Sequence, residues 1–133
     1  MDTRKINDAV RTRVLSSTPI RKIIQDRIFP SELAQLKDPT FPLINFKILP
    51  GSPIAHTAET LRSMLMVWAW SRIGYDEAAS LLHLVQQRLI GRVETSEINM
   101  VLRIEVTPES LYDSDAGIYG YVMRFDLYAA ERS

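Results

Sequence analysis

The only imidazole side chains in the chain, and so the first candidates for metal ligands, are His56 and His83. Glu59 follows His56 at a spacing of three residues, which offers two ligands on one short segment. A zinc site needs three or four ligands. With no further ligand at a suitable spacing, we predict that both histidines are surface residues and that no metal is bound.

Nucleophilic catalysis and phosphate binding find no better support. The chain has no cysteine, which excludes a thiolate nucleophile, thiolate metal ligands and disulfides. Serine and aspartate are plentiful, but no serine has the glycines of a nucleophile elbow around it. The closest approach to a glycine-rich phosphate loop is Gly117 and Gly120, which belong to a strand-like segment. We therefore predict that the protein is not an enzyme and carries no cofactor.

Length and composition are those of one ordinary globular domain. The 133 residues, 46% hydrophobic and 24% charged, predict a single domain over residues 1–133. The longest apolar run, Met64 to Trp70, is seven residues long, whereas a helix needs roughly 20 to cross a bilayer. The polar start, Met1 to Lys5, lacks an apolar signal segment. Intracellular synthesis without a membrane partner is the expectation.

Charge is balanced overall but unevenly distributed. Residues 1–27 carry seven basic and three acidic side chains (+4), and residues 28–133 carry nine and thirteen (−4). The basic side chains Arg4, Lys5, Arg11 and Arg13 predict a helix that either is simply solvated or binds a partner. A nucleic-acid-binding module using these four residues is an alternative, although such proteins usually have a positive net charge.

The first 30 residues predict a helical N-terminal part. Ile6, Val10 and Val14 recur with the period of an amphipathic helix over residues 3–15. Thr18 is a candidate N-cap, and Pro19 suits the first position of a second short helix. Pro30 favours an extended residue before it and ends this part.

A β-hairpin is predicted over residues 42–71. Its second strand would place Met64, Met66, Trp68 and Trp70 on one face, while its other face is also apolar. A strand that is apolar on both faces needs two covering layers. The second layer is either the chain's own loops and helices or a neighbouring subunit, and we take these four residues as a candidate subunit interface.

The C-terminal half predicts a helix over residues 76–90 and a second hairpin over residues 98–128. The connection between the two strands of this hairpin carries Glu109, Asp113 and Asp115, and we expect it to be a protruding acidic loop. Such a loop is solvated, contacts a partner, or lines a lumen in which like charge repels DNA phosphates.

Charge and hydrophobicity agree on one register for this second hairpin. It places Arg103 opposite Asp126 and Glu105 opposite Arg124 on one face. The same register places Leu102 opposite Leu127, Ile104 opposite Phe125 and Val106 opposite Met123 on the other. The four charged residues are further candidates for a polar subunit interface.

Together these elements predict an α+β domain in the order α-α-β-β-α-β-β. Its mostly antiparallel four-stranded sheet would carry helices packed on one face. A sheet of this kind has open edges, which invite strand addition from another copy.

Several short segments resemble phage tail-terminator and tail-completion proteins of long-tailed bacteriophages. They are Asp26–Pro30, Phe41–Phe46, Arg62 leading into Met64–Trp70, and the start of the Ala-rich helix at Tyr75–Ala79. The resemblance covers roughly residues 20–90, and the final hairpin follows it by pattern.

This resemblance implies a virion structural protein of the neck, made in the host cytoplasm and free of catalytic residues. It implies a homo-oligomer, a hexameric ring, that caps the tail-tube protein and meets the head–tail connector proteins. Genome DNA would pass through its lumen without specific binding. A head-side connector or adaptor protein of the same virion is the nearest alternative, since it shares subunit size and ring formation.

Overall fold

The computed structural model describes residues 3–50 and 60–132. Three helices lie at Thr3–Leu15 (α1), Thr18–Ile24 (α2) and Tyr75–Leu89 (α3), with a 3-10 turn at Leu33–Gln35. Six strands form one sheet: Ile28–Phe29 (β1), Leu43–Pro50 (β2), Thr60–Ser71 (β3), Gly91–Glu94 (β4), Ile98–Asp113 (β5) and Ile118–Glu131 (β6).

The prediction of a mostly antiparallel four-stranded sheet in the order α-α-β-β-α-β-β is wrong. The sheet is curled, mixed and six-stranded, with the order β1-β2-β3-β6-β5-β4. The parallel pair is β1 with β2, joined where the Ile44 amide donates to the Arg27 carbonyl at 3.0 Å. Both extra strands are very short: β1 has two residues and β4 has four. Runs this short contain too little alternation to be visible in a sequence.

The main core lies between one face of the sheet and the helices. Leu65, Val67 and Phe125 from the two central strands are buried against Leu82 and Val85 of α3. The apolar stripe of α1, from Ile6 to Val14, joins the same cluster. Both helices form because their apolar residues recur every three or four positions and so face the sheet together.

Two arginines tie α1 to α3 by capping each other's helix. Arg13 Nε donates to the Arg88 carbonyl at 3.0 Å, and Arg88 Nε donates to the Arg13 carbonyl at 3.2 Å. Arg88 also bonds the Ser16 hydroxyl. The last carbonyls of a helix lack partners within the helix and carry partial negative charge. The exchange therefore satisfies both helix C-termini and fixes them side by side.

A second, smaller cluster covers one end of the opposite face of the sheet. Leu43 and Trp70 are buried there beneath Leu33, Leu36 and Phe41 from the segment before β2. The predicted loop at residues 31–41 is thus a cover that packs on the sheet. Among the described residues, this cover does not extend over the rest of the face.

The second hairpin is longer than predicted. The strand β5 continues to Asp113, so residues 109–113, expected in a loop, are paired with β6. Proline and clustered polar residues predict a loop, but Pro108 lies in the register shift between Val106 and Glu109, where the β5–β6 ladder is interrupted. A proline is tolerated at such a bulge because no ladder hydrogen bond is lost.

Candidate functional site

The face of the sheet opposite the helices is a candidate site, and we call it the open face. Its side chains alternate along each strand with the buried ones that point to the helices. Its described residues include Lys47, Leu49, Arg62, Met64, Met66, Trp68, Val101, Arg103, Glu105, Val106, Glu109, Val122, Arg124, Asp126 and Tyr128.

Apolar side chains run along the middle of the open face on β3. Met64, Met66 and Trp68 are all half-buried, and Val122 of β6 is half-buried beside them. Trp70, the fourth member of the predicted stripe, is only 6% exposed because the cover segment encloses it. Three of the four residues predicted from this stripe therefore present apolar surface to solvent, and Trp70 belongs to the chain's own core.

Charged residues flank the apolar stripe as ion pairs. Arg62 Nε lies 3.4 Å from Asp126 Oδ1, and Arg124 Nη2 lies 3.5 Å from Glu105 Oε1. Such partly exposed pairs contribute about 0–1 kcal/mol each. Their value lies in placing neutralised charge around an apolar strip, which is the composition of many protein interfaces.

The predicted register of the second hairpin is confirmed over its first half only. Leu102 pairs with Leu127, Arg103 with Asp126 and Ile104 with Phe125. A register shift follows Ile104, so Val106 lies opposite Arg124 and the predicted pairing with Met123 is wrong. The shift leaves Glu105 within reach of Arg124, as predicted, while Asp126 forms its ion pair with Arg62 of β3.

Three shallow hollows lie on the described part of the open face. The hollows have volumes of about 330 Å³ beside Trp68, 280 Å³ beside Arg103 and 250 Å³ beside Met66. Clefts for small ligands usually measure about 300–1,000 Å³. Hollows at or below the lower limit of that range suit protruding side chains of a partner protein better than a cofactor.

One edge of the open face carries the closest ion pair of the described residues. Lys47 Nζ lies 2.7 Å from Glu32 Oε1. The hydrogen bond from Lys47 and its positive charge both lower the pKa of the Glu32 carboxyl. The contact holds the cover segment to β2 at the surface.

This ion pair predicts a small pH effect. Because the pKa of Glu32 is lower in the folded state, the pair stabilises the fold above the ordinary carboxyl range and is lost as the pH falls through the folded-state pKa. An NMR titration is expected to show a midpoint for Glu32 below the ordinary carboxyl range. The Lys47→Met variant should raise that midpoint; an unchanged Glu32 midpoint in that variant would contradict the assignment.

The acidic end of the second hairpin, which we call the tip, is a short turn with an aromatic flank. Asp113 Oδ1 accepts hydrogen bonds from the amides of Asp115 and Ala116 at 3.0 and 3.1 Å, and Gly117 follows with φ +65°. Asp113 thus shapes the turn, Asp115 is exposed, and Glu109 lies in β5 and not in a loop.

Four tyrosines lie together beside this turn. Tyr75, the first residue of α3, meets Tyr119 edge-on with ring centres 4.9 Å apart, and Tyr121 at 6.2 Å. Tyr112 lies 4.9 Å from Tyr119 on the neighbouring strand. Tyr75, Tyr112 and the nearby Ile73 are 39%, 49% and 80% exposed. This cluster was not predicted, because the alternation of apolar and polar residues along the chain assigns Tyr119 and Tyr121 simply to a buried sheet face.

Two of the four basic residues predicted on the N-terminal helix contact other parts of the same chain. Arg13 caps α3, and Lys5 Nζ lies 3.5 Å from Glu131 Oε1. Arg4 and Arg11 are exposed on α1. Two basic residues not singled out from the sequence, Arg21 and Lys22, are exposed on α2.

These two residues line a broad groove of about 800 Å³, which we call the α1–α2 groove. Its other lining residues are Leu15, Thr18, Gln25 and Asp26.

Of the three residues considered as metal ligands, the structure describes His83, which is exposed on α3, whereas His56 and Glu59 lie outside the described residues. Within residues 3–50 and 60–132, no three metal-binding side chains come together. In the same part of the chain, no helix has the length and apolar character needed to cross a membrane.

Comparison with known proteins shows the fold of the chain but no family. No family model matches the chain. The outer membrane protein YopN of Yersinia enterocolitica is 44% identical to it over 45 residues, 34% of this chain. The chain spans about 15% of the length of that curated relative.

Two solved structures share the fold over nearly the whole chain. A chain from the virion of a native gene transfer agent particle matches with a TM-score of 0.68 and 12% identity, covering 94% of this chain and 93% of that chain. A second solved structure matches with a TM-score of 0.56 and 13% identity, over 100% and 98% of the two chains.

Proposed function

We propose that the chain is a structural subunit of a phage-like virion, a tail terminator that forms a ring, caps the tail tube and joins it to the head connector. The observation that carries the proposal is the fold shared with a virion chain over 94% of this chain. The resemblance of residues 20–90 to tail-terminator proteins supports this particular role among those of virion structural proteins. The role is mechanical and needs no catalytic group.

The open face supports an assembly function because its apolar strip lacks cover from the described residues. Soluble monomers rarely expose large apolar patches, whereas interaction sites commonly do. We propose that a neighbouring protein of the particle, another copy or the tail tube, covers Met64, Met66 and Trp68. The surrounding ion pairs would form the polar rim of that contact.

A charged substitution in the middle of the strip tests this contact. Met66→Glu is expected to leave the fold intact, since the side chain is half-exposed, but to prevent association with other copies and with purified tail tubes. Lys47 and Arg124 lie opposite position 66 on the neighbouring strands, but the free energy of desolvating a carboxylate and its cations in an interface exceeds what their attraction returns. His83→Glu on the exposed side of α3 is the matched control. Light scattering and negative-stain microscopy measure assembly; wild-type assembly by Met66→Glu would refute the contact.

Loss of the gene tests the role in the particle. We expect intact heads beside tails that are overlong or unjoined, because nothing ends tube growth or bridges the two parts. Electron microscopy of the lysate measures tail length and attachment. Tails of normal length that fail to join heads would instead indicate the head-side connector. Normal infectious particles would refute both roles.

A further inference from the structure

The proposed ring needs more contact surfaces on this chain than the open face alone provides. A closed ring of identical copies with head-to-tail contacts needs two different complementary surfaces on each copy. The tip and the α1–α2 groove differ in both charge and shape, so they are the candidates for such a pair.

The tip has the features of an inserting surface. It combines Tyr75 and Tyr112, which are half-exposed and both contact the Tyr119 ring, with an isoleucine, Ile73, that is 80% exposed. Tyrosines held in this way expose large area and lose little conformational freedom on binding, and they are enriched at the centres of interfaces. The exposed carboxylate of Asp115 adds negative charge at the end of the hairpin.

The α1–α2 groove has the opposite properties. Leu15 supplies apolar surface, and Arg21 and Lys22 are exposed cations on its wall. Asp26 is the single acidic residue among the described residues of its lining. The groove belongs to the segment of residues 1–27 whose net charge is +4, while the tip belongs to the remainder, whose net charge is −4.

The two surfaces lie toward opposite ends of α3, so one chain cannot bring its own tip into its own groove. Tyr75, the first residue of α3, belongs to the tip. Arg88, near its end, bonds Arg13 and Ser16 where α1 leads into the groove. A helix of this length separates its ends by about 20 Å. Contact between tip and groove must therefore join two copies.

We propose that the tip of one copy docks into the α1–α2 groove of the next, and that this contact carries the ring from copy to copy. Arg21 and Lys22 of one copy would face Asp115 of its neighbour, with the tyrosines packed toward Leu15. The inference rests on the proposed ring, but its test is separate from that of the ring itself.

Charge exchange tests the contact directly. The tip variant Asp115→Lys and the groove variant Arg21→Glu/Lys22→Glu are each expected to weaken self-association by about 10-fold or more, because like charges then face each other. Asp113 is left unchanged because its carboxylate shapes the turn. An equimolar mixture of the two variants, and a single chain carrying all three substitutions, should recover association. Glu97→Lys, on the turn before β5, is the control.

Sedimentation velocity at low and physiological salt measures association, and circular dichroism checks that each variant is folded. If both variants associate like wild type, the docking proposal is refuted while the ring stands. If wild type forms no oligomer, alone or on tail tubes, the ring and the docking proposal both fall. If the groove variant loses binding to a DNA duplex and keeps self-association, the groove serves nucleic acid and the proposal is refuted.

The absence of native cysteine offers a second measurement. In a mixture of Asp115→Cys and Lys22→Cys chains, mild oxidation is expected to give a mixed disulfide dimer in preference to either homodimer. A Glu97→Cys chain in place of Asp115→Cys should give little product. Equal yields from Glu97→Cys and Asp115→Cys would overturn the proposal.

Discussion

Gly120→Ala is expected to destabilise the fold by about 1–3 kcal/mol, the usual cost of forcing extra atoms into a well-packed site. Gly120 lies opposite Trp70 in the β3–β6 pairing. A Cβ at this position would stand 2.7 Å from Cε3 and Cζ3 of the indole ring. Trp70 cannot readily move aside, because it is 6% exposed and its Nε1 is hydrogen-bonded to Asn45 at 2.8 Å.

A double-mutant cycle with Trp70→Phe isolates the cause. The phenylalanine ring lacks the outer indole atoms that the new methyl group would meet, so Gly120→Ala should cost much less in that background. Urea unfolding gives the four free energies. Equal costs in both backgrounds would show that the loss comes from the backbone of β6 and not from contact with the indole. Gly74→Ala is a useful steric control, since nothing lies within 4 Å of the Cβ position there.

The helices and the central strands were the elements open to prediction from sequence. The apolar stripe from Ile6 to Val14 repeats over enough turns to fix both the type and the range of α1. Alternation likewise placed β3 and the start of the second hairpin. The predicted N-cap of α2 was displaced by one residue, since the Ser17 hydroxyl and not Thr18 accepts from the Ile20 amide at 3.4 Å. The helix α3 starts at Tyr75, one residue before the predicted range.

The parts that could not be predicted depend on contacts between distant segments. Two-residue β1 exists only because Arg27 and Ile44 meet at the edge of the sheet. The register of the second hairpin was correct up to Ile104, and it failed where a bulge interrupts the ladder. The alternation of apolar and polar residues predicts a regular ladder and does not show where a bulge interrupts it.

The same limit applies to the candidate sites. Sequence showed that β3 is apolar on both faces, but only the structure shows that the cover segment encloses Trp70 and stops before Trp68. The tyrosine cluster joins the start of α3 to two strands, so its members are up to 46 positions apart in sequence, from Tyr75 to Tyr121. The acidic residues of the tip were found because they are close together in the chain.

Asn45→Leu is the second substitution for which we expect a large loss of stability. Asn45 is 2% exposed and lies on β2 between Trp70 and the cover segment. Its Oδ1 accepts from Trp70 Nε1 at 2.8 Å, and its Nδ2 donates to the Ser31 carbonyl at 3.0 Å. One amide therefore joins the central strand β3 to the segment that covers it.

Leucine has the branched shape and the number of side-chain non-hydrogen atoms of asparagine but offers neither a donor nor an acceptor, so two polar groups lose their partner at once. A buried group left without a hydrogen bond costs about 1–3 kcal/mol. We expect a free energy of unfolding lower by about 2–5 kcal/mol, together with a rise in Trp70 accessibility as the cover segment separates from the sheet.

Urea unfolding and acrylamide quenching of tryptophan fluorescence, with Trp68→Phe as the background, measure the two effects. Asn99→Leu, at an exposed position on β5, is the matched control. If Asn45→Leu costs no more than this control, the asparagine does not hold the cover segment, and the apolar contacts of Leu33, Leu36 and Phe41 with Trp70 must do so alone.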